Sequence, residues 1–165
     1  MAKRLNTELR TAPRVAGPPR LVDLDTVRIG NAEVARELEG KCLDAVRLRA
    51  GVQAVLTSRD KARGFYVVGD AQGAVIGVLQ VTYERSPWRN GIFWWLNNVF
   101  VAPRWRRRGV YTAMYGLAEG LARADKGVCG IRLFTGAENH AARRMYDSVG
   151  MRYEANYVCE TEFAP

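Results

Sequence analysis

Val99-Phe100-Val101-Ala102-Pro103-Arg104-Trp105-Arg106-Arg107-Arg108-Gly109-Val110-Tyr111-Thr112 reads as a strand, a loop and the opening of a helix. The apolar, aromatic run Ile92–Val101 is strand-like and is stopped by Pro103. Val110, Met114, Leu117 and Leu121 recur at three- and four-residue steps, which predicts a helix over about Val110–Ala124. A helix N-terminus presents backbone N–H groups without intrahelical partners and a partial positive charge. Gly109 lets the backbone approach closely there, and the arginines add attraction for a polyphosphate, so the stretch reads as an anion cradle. It is not a Walker loop, because no Gly-Lys-Ser/Thr follows, and it lacks the three glycines of a dinucleotide fingerprint. On charge alone, a solvated turn or an RNA-binding knot is the favoured reading of the same arginines.

Upstream of this stretch, Phe65–Val68 and Ala74–Tyr83 flank Asp70-Ala71-Gln72-Gly73 and predict a hairpin. Leu21–Leu24 reads as a short first strand. Helical spacing starts near Asn31 with Val34 and Leu38, and a second helix covers about Arg47–Leu56. Downstream, Val128–Thr135 reads as a strand, Asn139–Val149 as a helix ended by Gly150, and Met151–Phe163 as a final strand or bent pair. Hairpin strands followed by strand–helix–strand–helix–strand imply an α/β fold: a mixed, mostly antiparallel central sheet flanked by helices.

The chain has 165 residues, enough for one domain with a short extension. It is 48% hydrophobic and 25% charged, which excludes whole-chain disorder, collagen and coiled coil. No apolar run approaches the roughly 18 residues of a membrane span. The net charge is +8; residues 1–20 carry Lys3, Arg4, Arg10, Arg14 and Arg20 against Glu8, a balance of +4. With Pro13, Gly17, Pro18 and Pro19, this segment reads as a flexible basic extension, leaving 21–165 as the folded domain. It holds no apolar stretch of signal-peptide length. Cys42, Cys129 and Cys159 are odd in number and lack metal spacing, and His140 is the only histidine. No metal site and a reducing, cytoplasmic location are therefore expected.

A second constellation lies in the last helix. Asn139, Ala142 and Tyr146 stand at i, i+3 and i+7 and share one face. Asn139 can cap the helix, Ala142 leaves a shallow place, and Tyr146 offers a hydroxyl two turns on. Taken together, the two segments resemble the GCN5-related N-acetyltransferase (GNAT) family. Arg106-Arg107-Arg108-Gly109-Val110-Tyr111 matches its first signature, Arg/Gln-x-x-Gly-x-Gly/Ala, except that Tyr111 replaces a small residue. Its side chain must therefore point away from the loop. Asn139, Ala142, Tyr146, Gly150 and Met151 match the second signature at every spacing. The resemblance covers about Leu21 to Phe163, most firmly from Phe93 onward. Glu84-Arg85-Ser86-Pro87-Trp88-Arg89-Asn90-Gly91 is similar to a segment of one subgroup.

The resemblance implies acetyl-CoA as co-substrate and acetyl transfer to an amine. It implies that backbone groups of Val99, Phe100 and Val101 hold the pantetheine and thioester. Arg106, Arg107, Arg108, Gly109, Val110, Tyr111 and Thr112 would form the pyrophosphate grip. Asn139 would contact the cofactor arm, and Tyr146 would protonate the departing thiolate. No carboxylate stands where some relatives carry one, on Trp94-Trp95-Leu96-Asn97-Asn98 or Ile131-Arg132-Leu133-Phe134-Thr135. Glu84, at the end of the neighbouring strand, is the candidate base or amine-orienting group; a solvent-facing rim glutamate is the alternative reading. The expected partner is a small-molecule amine or a protein amine. A membrane partner is not expected, nor is nucleic acid favoured, and a homodimer stays open. Two rival functions remain at this level: a non-catalytic acyl-CoA sensor, and an acetyltransferase directed to tRNA through the basic surface.

Overall fold

The computed structural model describes residues 12–15, 21–57, 63–71, 74–154, 158–161 and 163. The elements are β1 (Ala12–Val15), α1 (Leu21–Glu39), α2 (Ala45–Leu56), β2 (Phe65–Ala71), β3 (Ala74–Ser86), β4 (Gly91–Val101), α3 (Val110–Ala124), β5 (Val128–Leu133) and α4 (His140–Ser148). The strands form one sheet in the order β1-β2-β3-β4-β5. The first three pairings are antiparallel and β4 pairs β5 in parallel. The class is therefore α/β with a mixed, mostly antiparallel sheet. By contacts the chain divides into two compact units, Met1–Phe134 and Thr135–Pro165.

In the first unit, α1 and α2 cover one face of the sheet. Leu24, Val27, Val52 and Leu56 form a buried cluster with Tyr66, Val68 and Val78, and Phe100 packs against it. Helix α3 covers the opposite face and comes close because two paired strand residues have no side chain. A Cβ on Gly69 would stand 2.8 Å from Val110 Cγ1, and one on Gly77 would stand 3.0 Å from both Val110 Cγ1 and Met114 Cε. That contact fixes the first turn of α3, and with it the loop that precedes it.

Three expectations change. Leu21–Leu24 is the first turn of α1 and not a strand. Its buried stripe runs Leu24, Val27, Asn31, Ala35, a helical spacing in which Asn31 hides the apolar period. Asn31 is tolerated there because its Nδ2 donates to the Tyr66 hydroxyl at 3.3 Å. Within the segment expected to be a flexible extension, Ala12–Val15 forms β1, pairing with β2 through Ala12–Asp70 to Val15–Val67. Its Pro13 suits an outermost strand, where a missing N–H breaks no ladder. Residues 1–11 and 16–20 lie outside the described residues. Finally, the expected last strand is absent among the described residues of 151–163.

Candidate active site

Strand β4 organises the site. Its register with β5 ends at Leu96–Leu133, so beyond Leu96 this edge has no strand partner among the described residues. On the other edge, Asn97 pairs Gln80 and Phe100 pairs Val78, so Asn98 and Val99 together oppose Leu79. This is a β-bulge, and Asn98 adopts φ 47 within it. Its side chain settles the turn by donating to Gln80 Oε1 at 2.7 Å, while Asn97 donates to Thr82 Oγ1 at 2.8 Å. The strand thus ends in a stretch of backbone able to pair with an extended ligand. The Val101 carbonyl is already used: it accepts from Arg106 Nε at 2.9 Å.

The chain then turns through Pro103–Trp105 and reaches Gly109, which has φ 76 and precedes α3 with no side-chain cap. A Cβ at Gly109 would meet nothing within 4 Å, so the glycine serves backbone conformation and leaves open space in front of the helix. The amides of Val110, Tyr111 and Thr112 form its uncapped first turn, with no acidic residue among them. Arg104, Arg107 and Arg108 are exposed and make no ion pair among the described residues; Arg108 lies over the Trp105 ring at 5.4 Å. Arg106 differs. Its Nη2 is held by Glu37 of α1 at 3.0 and 2.8 Å, so it braces the loop and is not a free cation. The ring of Tyr111 stacks on Tyr115, one turn along α3. The uncapped turn, open space and free arginines suit a diphosphate.

Glu84 lies on the face that α1 and α2 cover farther along the sheet, since Val78, Gln80, Thr82 and Glu84 alternate along β3. Its carboxylate accepts from the Trp95 indole N–H and from Arg132 Nη1, at 3.2 Å to Oε1 and 3.4 Å to Oε2. It is therefore a fixed, half-exposed carboxylate and not a loose rim residue. Trp94 points to the other face and is core, edge-on to Phe65 at 5.2 Å. Sequence reasoning missed Glu37 and Arg132 as partners. Arg132 carried a readable signal, a charge in the middle of the apolar run Ile131–Leu133. Glu37, one acid among several on a helix, carried none.

In the second unit, Asn139 Oδ1 accepts from the Ala142 amide at 3.1 Å and caps α4. The helix ends at Gly150, φ 78, with Met151 N–H on the Tyr146 carbonyl and Gly150 N–H on the Asp147 carbonyl, a Schellman close. The signature's asparagine and glycine thus hold the two ends of the helix that carries the tyrosine. Tyr146 is buried, and that burial, reinforced by Tyr153, pushes its phenol pKa up. A phenol so placed keeps its proton and can donate it. Among the described residues there is no cluster of metal-ligating side chains, and no helix is long and apolar enough to cross a membrane.

The acetyltransferase (GNAT) family model matches residues 32–151, a span that includes the strand, the loop and α4. The chain belongs to the GNAT acetyltransferase family. It is 34% identical to the crystal structure of a possible acetyltransferase from Clostridium difficile 630, with a TM-score of 0.78 over 94% of this chain and 98% of that one. A probable acetyltransferase is 23% identical at a TM-score of 0.76, covering 94% and 99%. The aminoglycoside N-acetyltransferase AAC(6')-Iy, solved with CoA, shares the fold at 14% identity and a TM-score of 0.71, covering 94% and 97%. No curated protein matches. The GNAT assignment makes the chain an acyltransferase.

Proposed function

We propose that the chain is an acetyl-CoA-dependent N-acetyltransferase that passes the acetyl group directly to an amine in a ternary complex. The observation that carries this reading is the bulged end of β4, bare on one edge, leading into a helix N-terminus without a side-chain cap and flanked by Arg107 and Arg108, which make no ion pair among the described residues. Bound acetyl-CoA supplies a thioester-activated acetyl group. The backbone of Asn98, Val99 and Phe100 aligns the extended arm by strand-like pairing. The amides of Val110, Tyr111 and Thr112 meet the diphosphate, with Arg107 and Arg108 adding charge that draws it in. Asn139, already fixed by its capping bond, steadies the cofactor arm.

Two proton tasks remain. On the order of one primary amine in a thousand is neutral at pH 7, and only the neutral form attacks. Glu84 orients the incoming ammonium and takes up its proton as the base, handing it on to water. Tyr146 keeps its phenolic proton because of burial and donates it toward the sulfur as the C–S bond breaks. Holding both substrates at once turns a bimolecular encounter into a local one, so no cysteine nucleophile is required. Location in the cytoplasm and a small-molecule or protein amine as acceptor complete the reading. Likeness to aminoglycoside acetyltransferases at this identity is likeness of fold and assigns no acceptor here.

The test is release of free thiol from acetyl-CoA across a panel of amines, with mass detection of the N-acetyl product. Tyr146→Phe should lower kcat by about 10²-fold, with little change in KM for acetyl-CoA. Acetyl-CoA binding with no transfer to any amine would make the chain a sensor and not an enzyme. An unchanged kcat would remove Tyr146 from the chemistry.

A further inference from the structure

The ion pair Glu84–Arg132 is built unlike the other ion pairs of the first unit. The Arg132 guanidinium carbon lies over Phe93, 3.6 Å from the ring centroid, a cation–π contact that helps hold it in place. Only Nη1 is spent, on the two Glu84 oxygens. Nε and Nη2, three N–H groups in all, meet no acceptor among the described residues. Glu84 in turn receives three hydrogen bonds of about four it can accept. Each side chain keeps 42% of its surface exposed. Trp95 and Phe134, stacked at 4.4 Å, form an aromatic wall beside the pair, and Phe134 is 61% exposed. Trp95 stands only two residues, roughly 7 Å, before Asn97 and the bare end of β4.

We infer that Glu84 and Arg132 together are the acceptor subsite and select a zwitterionic amine, one whose amino group and an oxyanion, carboxylate or phosphate, lie a few atoms apart. The inference rests on the N-acetyltransferase reading. An ion pair with one free edge on each partner is a fixed dipole. A zwitterion docks on it head to tail, its ammonium on the remaining Glu84 lone pair and its oxyanion on the Arg132 fork. A polycation fares worse, because Arg89 and Arg132 outnumber Glu84 two to one on this face, and Arg89 sits 5.6 Å over Phe93. In the transfer the ammonium loses one proton before attack, the N–C bond to the acetyl carbon forms and the nitrogen loses a second proton, the C–S bond breaks, and the sulfur takes up one proton. The products are the N-acetyl compound, the free thiol and one released proton.

The experiment compares kcat/KM within matched pairs: each proteinogenic amino acid against its amide, O-phosphoethanolamine against ethanolamine, and spermidine as a polycation. At least one oxyanion-bearing acceptor should exceed its neutral counterpart by about 10- to 100-fold. The amino-acid and phosphoethanolamine arms tell carboxylate from phosphate. Arg132→Gln should bring that ratio close to one, and Arg132→Lys should recover part of it. Should Arg132→Gln fail to melt as a folded protein, the wild-type ratios decide alone. Ratios near one, spermidine as the best acceptor, or no acetylation across the panel while acetyl-CoA binds in a separate titration would each overturn the inference. Absence of acetyl-CoA binding in that titration would overturn the N-acetyltransferase reading beneath it.

Discussion

Gly69→Ala should damage use of acetyl-CoA from the far side of the sheet. The new methyl would sit 2.8 Å from Val110 Cγ1 and 3.6 Å from Met114 Sδ. Carbon atoms rest about 3.5–4.0 Å apart, so roughly 0.7–1.2 Å must be found. Val110 cannot turn away cheaply: it is buried, and a β-branched side chain in a helix has one strongly preferred rotamer. The first turn of α3 therefore moves, carrying the amides of Val110, Tyr111 and Thr112. Overpacking of this kind costs about 1–3 kcal/mol. For a chain of this size each kcal/mol lowers Tm by about 2–4 °C. A displacement near 1 Å can cost about 10²-fold in rate, so kcat/KM for acetyl-CoA should fall ten- to hundredfold. The assay is thiol release at varied acetyl-CoA beside a thermal melt. Adding Val110→Ala makes room for the methyl and should return kcat/KM to within about threefold, a coupling that independent sites would not show. Gly120→Ala in the same helix, where a Cβ meets nothing within 4 Å, should leave kcat/KM unchanged and raise stability by about 0.5–1 kcal/mol. A lowered Tm with unchanged kcat/KM for acetyl-CoA in Gly69→Ala would refute the link between α3 and the co-substrate.

Two further outcomes are expected. Glu37→Gln frees Arg106 from α1; since the pair is exposed, stability should change by less than about 1 kcal/mol, while KM for acetyl-CoA rises severalfold as the loop loosens. Equal KM values would reduce Arg106 to a surface residue. Burial raises the phenol pKa of Tyr66, Tyr83, Tyr115 and Tyr146 above the usual 10.0. The unfolded chain therefore loses these protons first, and the contribution of these groups is intact below pH 10 and is lost as pH rises beyond it. Urea midpoints measured from pH 8 to 11 should fall above about pH 10, and less steeply in Tyr66→Phe; a flat profile would contradict the burial of these rings.

The strand–loop–helix around Gly109 was legible because every cue there is local: Pro103 stops the strand, Gly109 takes the left-handed conformation, and Val110 starts an apolar period. The capped and closed α4 was legible for the same reason, through Asn139 and Gly150. The start of α1 was not, because Asn31 interrupts its buried stripe and only Tyr66, distant in sequence, makes that burial tolerable. Strand β1 was hidden by Pro13 and the surrounding prolines and arginines, whose local preferences an edge position overrides. In the site, the residue types could be read but their pairings could not. Arg106 looks like its neighbours in the knot until Glu37 is placed beside it, and Glu84 looks like a rim residue until β5 brings up Arg132.

In the proposed function the bare end of β4 and the first turn of α3 hold acetyl-CoA. Titration calorimetry of the pure, folded chain tests it most directly. One acetyl-CoA per chain should bind, with an affinity that weakens as salt is raised and with CoA competing for the same site. A flat titration for both acetyl-CoA and CoA would contradict the claim.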